Sequence, residues 1–447
     1  MSGPSVAARA VAPLDEPPDA TVVLPGSKSI TNRALVAASL ADGTSHLEGA
    51  LFADDTEAMM GCLGGLGAHL DVDPAAARVT VAGMGGCPAP GPVELDARLS
   101  GTTSRFVLPL LALGTGTYRL DGGAPLRARP MGDGIGALRA LGVTVDEAGR
   151  PGHLPVTVQG LDRAVGPGAA PAAVALRGDA SSQFLSGLLL AAPAWPGGLQ
   201  IEVEGPLVSV PYVEMTVALM EAFGAEVERP SDRVYRVEPS PYSARRYQIE
   251  PDASAASYFF AAAAICGGRV RVEGLGTASL QGDLAFVDVL ERMGARVTRG
   301  ADVTEVAGSG SLRGVVADLH DLSDTAQTLA VTAVFADGPT EVTGIGFIRR
   351  KETDRLAAVV AELRRVGIEA HETGDGFVVH PGWPSPGVIQ TYDDHRMAMS
   401  FALLGLRAPG IEIADPDCVA KTFPGYFETL DGLRAPPVHR PSDQGVG

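Results

Sequence analysis

The sequence predicts a mixed α/β protein made of six copies of one structural unit, arranged as two three-unit domains of which one is discontinuous. Three observations carry this reading. An apolar, small-residue helix, a short loop and an alternating strand recur in that order, and the strands close at Gly49, Gly122, Gly205, Gly274, Gly344 and Asp415. The period, roughly 70 to 80 residues, is long enough for a complete supersecondary unit per copy. Five copies continue into an amphipathic helix that stops at Gly67, Gly142, Gly224, Gly294 or Gly367 and runs straight into a strand, as a glycine past the last helical turn allows. The sixth copy instead ends in YFETLDGLR without its strand, and the segment before Pro25 is the strand that completes it. Both termini then fall in one domain, 1–25 with 250–434, and 26–249 is inserted. The chain crosses near Pro25–Gly26 and again near Ile249–Glu250. Residues 435–447 read as a disordered tail.

Taken from the N-terminus, the strand Thr21–Leu24 is broken by Pro25 and Gly26, and the apolar run Ala34, Leu35, Ala37, Ala38, Leu40 marks a buried helix. Its first turn is therefore crowded with Lys28, Ser29, Thr31, Asn32 and Arg33. A helix start presents unpaired N–H groups and partial positive charge, and two cations there make a site for phosphate or carboxylate. The other copies begin their helices in the same manner: Gly101, Thr102, Thr103, Ser104 and Arg105; Ser181, Ser182 and Gln183; Asp252 and Ser254; Asp324, Thr325 and Gln327; Asp393, Asp394, His395 and Arg396. Facing domains would aim all six starts into one cleft. Ordinary capping accounts for Asp252 and Ser254, whereas Lys, Arg, Gln and His exceed what a cap requires.

Lysine occurs only at 28, 351 and 421 among 35 Lys and Arg residues. A compact, mobile ammonium is not interchangeable with a planar guanidinium at a shaped site, so these three positions are candidates for chemistry. The rest of the composition narrows the class. With 447 residues, 45% hydrophobic and 20% charged, the chain is globular and large enough for two or more domains. A formal net charge of −18 argues against a nucleic-acid surface, so any basic pocket must be local. No signal segment and no apolar run of membrane-spanning length is present. Cys62, Cys87, Cys266 and Cys418 are too scattered for zinc or a disulfide framework and suit free thiols in a reducing cytoplasm.

Together, LPGSKS and NRA between 24 and 34, Gly101-Thr102 with Arg105, Arg129-Pro130, SSQ at 181–183, KETDR at 351–355, DHRMAM at 394–399 and AKTFP at 420–424 resemble the 5-enolpyruvylshikimate-3-phosphate synthases. The resemblance runs from Thr21 to Leu433, with Leu99, Ser100 and Phe106 similar to actinobacterial members. It implies two inside-out domains, each of three βαβαββ units, no metal or organic cofactor, a monomer, and transfer of the enolpyruvyl group of phosphoenolpyruvate to the 5-hydroxyl of shikimate 3-phosphate. Carried onto this chain, it places Lys28, Ser29, Arg33, Ser181, Ser182, Ser209, Asp324 and Lys351 on shikimate 3-phosphate. Lys28, Gly101, Arg129, Gln183, Arg355, Arg396 and Lys421 fall to phosphoenolpyruvate. Asp324 would handle the hydroxyl proton and Glu352 the methylene proton, with Lys28 stabilising the phosphate of the addition intermediate; two carboxylates among so many cations suit proton carriers better than anion binding. Glyphosate sensitivity at the donor's place, next to Gly101, is also implied.

Two positions depart from the family pattern. Phe347 stands where a polar residue is usual near the substrate phosphate, and Leu99 replaces a common Asn, which leaves a paralogue acting on a relative of shikimate open. The sister transferase acting on UDP-N-acetylglucosamine carries a reactive Cys in the loop before Arg-Pro, and the stretch from Gly122 to Pro130 contains none. A non-catalytic sugar-phosphate binder would explain the cations but not Asp324 and Glu352. Eight cations drawn from both domains, Arg33 and Arg105 among them, lead to the expectation of an open cleft that closes on a dianionic acceptor.

Overall fold

The computed structural model describes residues 8–161, 171–179 and 181–434; the expected tail at 435–447 lies outside them. Each of the six predicted first helices is present, as Lys28–Leu40, Gly101–Leu111, Ser182–Ala191, Ala253–Cys266, Ala326–Ala333 and His395–Gly405, and each leads into a strand. These helices are apolar on every side, so they are covered on every side: Gly101–Leu111 and His395–Gly405 are buried from end to end. The sheets form the outer layer. Their strands alternate buried and exposed residues, as in Arg269–Glu273, which suits a sheet with one face on the core and one in water. Helices inside and sheets outside is the inside-out arrangement.

One sheet shows the common plan. Ala172–Arg177 lies parallel to Leu199–Glu204, joined to it through the Ser182 helix, and Leu199–Glu204 pairs antiparallel with Val234–Val237, which pairs antiparallel with Val227–Ser231. The register runs from Ala172 opposite Leu199 to Arg177 opposite Glu204. A parallel pair needs a crossover, and the helix is that crossover. The second helix of the unit, Val210–Ala222, stops at Phe223 before Gly224 at φ 91° turns the chain into its strand, and Gly67, Gly142, Gly294 and Gly367 do the same in their units.

The two crossings exchange strands between units far apart in sequence. Asp19–Val22 is the parallel edge strand of Arg269–Glu273, and Arg246–Gln248 is the parallel edge strand of Thr44–Glu48. A second N-terminal strand, Arg9–Val11, pairs antiparallel with Ile411–Ile413 in the sheet of the sixth unit. At the crossing itself the Ser27 N–H donates to the Glu250 carbonyl at 2.8 Å, and a Cβ on Gly26 would sit 1.8 Å from the Gly49 carbonyl oxygen, so only glycine fits where the two passes touch. Two apolar cores result. One draws on Val11, Val22 and Leu24 with residues from Ala253 to Leu433; the other runs from Ile30 to Ile249.

Close helix packing inside the second core depends on glycine. A Cβ on Gly187 of the Ser182 helix would lie 2.5 Å from the Arg105 carbonyl oxygen on the Gly101 helix. Gly187→Ala therefore separates two helices that carry pocket residues, and thermal melting is expected to show a loss of about 1–3 kcal/mol, the usual cost of overpacking. Exposed Gly136, with nothing near its Cβ position, is the control: Gly136→Ala is expected to gain about 0.5–1 kcal/mol from helix propensity alone.

Candidate active site

All six first helices bring their N-termini to one cleft between the two cores. A first chamber, about 540 Å³ of empty space including its mouth, is lined by Lys28, Ser29, Arg33, Ser181, Ser182, Gln183, Ser209, Asp324 and Lys351, with Thr102, Val208, Tyr212 and Phe347. A second chamber of about 340 Å³ adjoins it, sharing Lys28, Thr102, Gln183, Asp324 and Lys351 and adding Asp55, Gly101, Arg129, Glu352, Arg355, His395 and Arg396. Lys421 reaches the second chamber through Asp55, whose Oδ1 lies 3.3 Å from its Nζ. The two adjoining chambers thus gather the residues that the resemblance assigns to substrates and catalysis, with Lys421 beside them.

Capping explains why the polar side chains point inward. Ser27 caps the first helix, with Ile30 N–H on its Oγ at 3.4 Å, which leaves Lys28 and Ser29 to face the cleft. Ser181 caps the Ser182 helix by accepting from the Gln183 N–H at 3.3 Å. Asp394 caps the His395 helix and accepts from the Arg396 N–H at 2.9 Å. Asp252 caps the Ala253 helix as expected, yet its other oxygen accepts from the Lys28 N–H at 3.0 Å, so it also ties the two cores together. Asp324 is not a cap: it sits in a 3-10 turn, Ser323–Thr325, with its carboxylate turned into the cleft. Glu352 likewise precedes its helix, which starts at Arg355 and is capped by Asp354.

Arg355 is the centre of the charge network. Its guanidinium, 1% exposed as a residue, donates through Nε to Asp394 Oδ2 at 2.7 Å, through Nη1 to Asp324 Oδ1 at 3.1 Å and through Nη2 to Glu352 Oε2 at 2.8 Å. Arg396 Nη2 donates to Asp324 Oδ2 at 2.6 Å, and Lys351 Nζ is 3.8 Å from Asp324 Oδ1. Arg129 Nη1 donates to Glu352 Oε1 at 3.4 Å across the cleft. Burial alone would raise both carboxyl pKa values, but Arg396, Lys351, Arg355 and Lys28 around Asp324, and Arg355, Arg129 and Lys421 around Glu352, outweigh it and hold both well below the carboxylate range. Both are therefore ionised and able to accept a proton. Burial lowers the Lys351 pKa against the pull of Asp324, and it keeps His395 neutral, helped by Lys28 and Arg396.

Several expectations change in detail. Arg33 lines the first chamber, but its guanidinium is satisfied from within: Nε donates to Thr216 Oγ1 at 2.7 Å, Nη1 to the Ser29 carbonyl at 2.9 Å and Nη2 to the Tyr212 carbonyl at 3.0 Å, while Phe106 stacks 5.1 Å away. It holds the chamber wall. The eight cations do not simply repel across the cleft, because carboxylates are interleaved with them. Asp55 stands between Lys28 Nζ at 3.4 Å and Lys421, and Lys421 also donates to the Leu99 carbonyl at 2.9 Å. These contacts, with Arg129 on Glu352, bridge the two cores across the cleft. They also account for Leu99: its backbone makes the contact while the residue as a whole is 46% exposed. Phe347 does line the first chamber, packed edge-on against His320, so that part of the wall is apolar together with Val208.

Three residues escaped the sequence reading. Asp55 lies in the first turn of a second helix, Asp54–Gly65, where an acidic residue is ordinary. Tyr212, on the helix Val210–Ala222, had no motif to mark it, and neither had Asp283, which shares a hydrogen bond with it.

Residues 15–430 match a family model described as EPSP synthase (3-phosphoshikimate 1-carboxyvinyltransferase). A protein of Nostoc sp. (strain PCC 7120 / SAG 25.82 / UTEX 2576) named 3-phosphoshikimate 1-carboxyvinyltransferase is 48% identical over 419 residues, covering 94% of this chain and 97% of that protein. One of the same name from Laribacter hongkongensis (strain HLHK9) is 44% identical over 422 residues, covering 93% and 97%. A solved EPSP synthase from Acinetobacter baumannii superimposes with a TM-score of 0.79 at 26% identity over 95% of this chain and 98% of that one.

His395 offers a test of the site's electrostatics. Its ring is 1% exposed and neither nitrogen has a hydrogen-bond partner among the described residues, so the folded protein resists its protonation. A histidine whose folded pKa is depressed contributes stability above its unfolded pKa of about 6.5 that is lost as the pH falls below it. Asp283, raised to about 6 by burial and by Asp324, has the opposite slope in the same range, so the informative quantity is a difference. Relative to the parent, His395→Gln is expected to gain up to about 1.4 kcal/mol per pH unit below 6.5 in denaturant unfolding, one proton's worth.

Proposed function

The chain belongs to the EPSP synthase family, and from that premise we propose that it transfers the enolpyruvyl group of phosphoenolpyruvate to the 5-hydroxyl of shikimate 3-phosphate by addition and elimination, releasing phosphate, with the site residues assigned as follows. The observation that carries the assignment is the pair of ionised carboxylates, Asp324 and Glu352, held on one guanidinium between two adjoining cationic chambers. The acceptor occupies the first chamber, its phosphate held by Ser181, Ser182, Ser209 and Lys351 and its hydroxyl turned to Asp324. The donor occupies the second, against Lys28, Gly101, Arg129, Gln183, Arg396 and Lys421, with Arg355 acting through the carboxylates it binds. We also propose that the two apolar cores correspond to two domains, 26–249 and 1–25 with 250–434.

Asp324 is well suited to take the hydroxyl proton because it is ionised at neutral pH and faces the first chamber. Glu352 has the harder task, since it must first hold a proton in order to give it to the methylene carbon. Its acidity is enforced by Arg355, Arg129 and Lys421, and a bound donor offsets exactly this positive charge: the carboxylate and phosphate of phosphoenolpyruvate draw on Arg129 and Lys421. Donor binding thus raises the Glu352 pKa, so that Glu352 takes up a proton from solvent as the donor binds. Lys28 Nζ, already set beside Asp55, is placed to stabilise phosphate charge in the intermediate. Glu352, again a carboxylate, then retrieves a proton from the methyl group as phosphate leaves.

Phosphate release with phosphoenolpyruvate and shikimate 3-phosphate, set against UDP-N-acetylglucosamine as acceptor, tests the reaction; turnover with the second acceptor alone would overturn it. Glu352→Gln keeps the shape but not the transferable proton, and turnover is expected to fall about 100-fold or more with substrate binding retained. At Gly101 a Cβ would meet Arg129 Nη1 at 2.7 Å. Gly101→Ala is expected to push that guanidinium aside, raising the KM for phosphoenolpyruvate and weakening glyphosate inhibition, the energy scale being roughly 1–3 kcal/mol per methyl group. Unchanged constants would mean that Gly101 does not face the donor.

A further inference from the structure

Behind Asp324 lies a second buried carboxyl that the reaction as proposed does not use. Asp283, 4% exposed, sits in the turn Gly282–Ala285 beside the Ala253 helix. Tyr212 reaches it from the opposite core: the phenol is 2.9 Å from Asp283 Oδ2 and 3.4 Å from Asp324 Oδ2. One phenol carries one proton, so it can donate to only one of these carboxylates at a time while accepting from the other. Ser254 Oγ also bonds Asp283 Oδ2, and Asp283 Oδ1 is buried with no hydrogen-bond partner among the described residues. No ion pair compensates Asp283 among those residues either. A buried carboxyl without a cation costs desolvation that a neutral side chain would avoid, so its presence needs a use.

We propose that Asp283 is the proton-receiving partner of Asp324, reached through the Tyr212 hydroxyl, and so returns Asp324 to its charged form. This rests on the reading that Asp324 takes the acceptor's proton. In the step, the Asp324 O–H bond breaks as its proton passes to the Tyr212 oxygen, and the Tyr212 O–H bond breaks as its own proton passes to Asp283. Two O–H bonds break, two form, and nothing is oxidised or reduced. The direction follows from the surroundings. Burial raises Asp283, Arg396 opposing, whereas Asp324 is held far lower by Arg396, Lys351 and Arg355; the charge of Asp324, which takes Asp283 to about 6 while both are ionised, is absent when Asp324 holds the proton. Tyr212 stays a neutral phenol, since burial, Asp283 and Asp324 all disfavour its ionisation. Among the described residues the charged and titratable groups around Asp283 are Tyr212, Asp324 and Arg396, the last also touching Tyr258 at 3.4 Å. Asp283 touches no substrate in this arrangement and is a positioning residue.

Turnover with phosphoenolpyruvate and shikimate 3-phosphate, measured from about pH 5 to 9, tests the relay in Asp283→Asn, Tyr212→Phe and Asp324→Asn. Because Asp283 must be ionised to receive the proton, the parent kcat is expected to fall on the acid side with an apparent pKa near 6. Asp283→Asn, which keeps an acceptor for Ser254, is expected to lose that limb and about tenfold in kcat, less than the loss of a direct base, with KM values nearly unchanged. Tyr212→Phe should lose the same limb, and it carries the test alone if Asp283→Asn melts far below the parent. A merely structural Asp283 would lower stability or raise KM and leave the limb in place, and a retained limb in both variants overturns the relay. If Asp324→Asn is fully active, the reading on which the relay rests fails and the relay with it. If Asp324→Asn is inactive while the other two keep the limb, the relay alone is wrong.

Discussion

The contact on which the site depends is the Arg355 guanidinium with Asp324, Glu352 and Asp394. Three carboxylates converge on one buried cation. Each arm is an N–H donor of fixed geometry, so the group sets the positions of the three acids relative to one another as well as neutralising them. Lysine could not replace it, since a single ammonium has no planar fork to divide among three partners. Without the guanidinium, three acids would share a buried space with no central counter-ion, a state that costs several kcal/mol where it occurs. Asp394 is the anchor of the set: it is fully buried and caps the His395 helix, so the network is tied to the backbone of the sixth unit.

The same logic operates between the two cores. Lys28 and Lys421 come from opposite cores and meet on Asp55, and Arg129 of one core meets Glu352 of the other. A cleft with cations on both sides is bridged by carboxylates placed between them. An anionic ligand entering such a cleft does not meet bare cations; it competes with internal acids for them, and part of its binding energy goes into displacing those pairs. That exchange is chemically useful in the proposed reaction, because each cation drawn toward the ligand loosens its hold on the proton of a neighbouring carboxyl.

Much of this was legible in the chain. The six-fold recurrence was readable because each unit has to bury an apolar helix under a sheet, and the glycine stops were readable because few residues other than glycine end a helix in the left-handed conformation. The three lysines pointed into the site because an arginine-rich chain has little other reason to keep them. The dispersed contacts were not legible. Asp55 and Asp283 sit in stretches whose local pattern is that of an ordinary helix start or turn, and their roles show only through partners distant in sequence, Lys421 on Asp55 and Tyr212 on Asp283. Arg33 lies inside a strong anion-binding motif, yet its partners, Thr216 and the Tyr212 carbonyl, come from a helix more than a hundred residues away, so no local reading could show that its charge was already spoken for.

The two acids show how one charge network separates two proton carriers by their neighbours. Asp324 has Arg355 and Lys351 at Oδ1 and Arg396 with the neutral Tyr212 hydroxyl at Oδ2; Glu352 has Arg355 and Arg129 and, among the described residues, no phenol. The cations shared with the donor site govern Glu352, so its affinity for a proton changes when the donor binds. Of those around Asp324, Arg355 is committed to carboxylates and Arg396 also holds the Asp324 carbonyl at 3.1 Å, whereas Lys351 and Lys28 line the chambers proposed for the substrates. A proton placed on Asp324 is therefore pressed to leave by Arg355 and Arg396, and among the described residues the neutral hydroxyl that Asp324 touches is that of Tyr212. Groups whose surroundings drive their proton affinities apart can serve as acid and base in one small volume, and here the two acids differ in the partners they do not share, Tyr212 and Arg396 on Asp324 and Arg129 on Glu352.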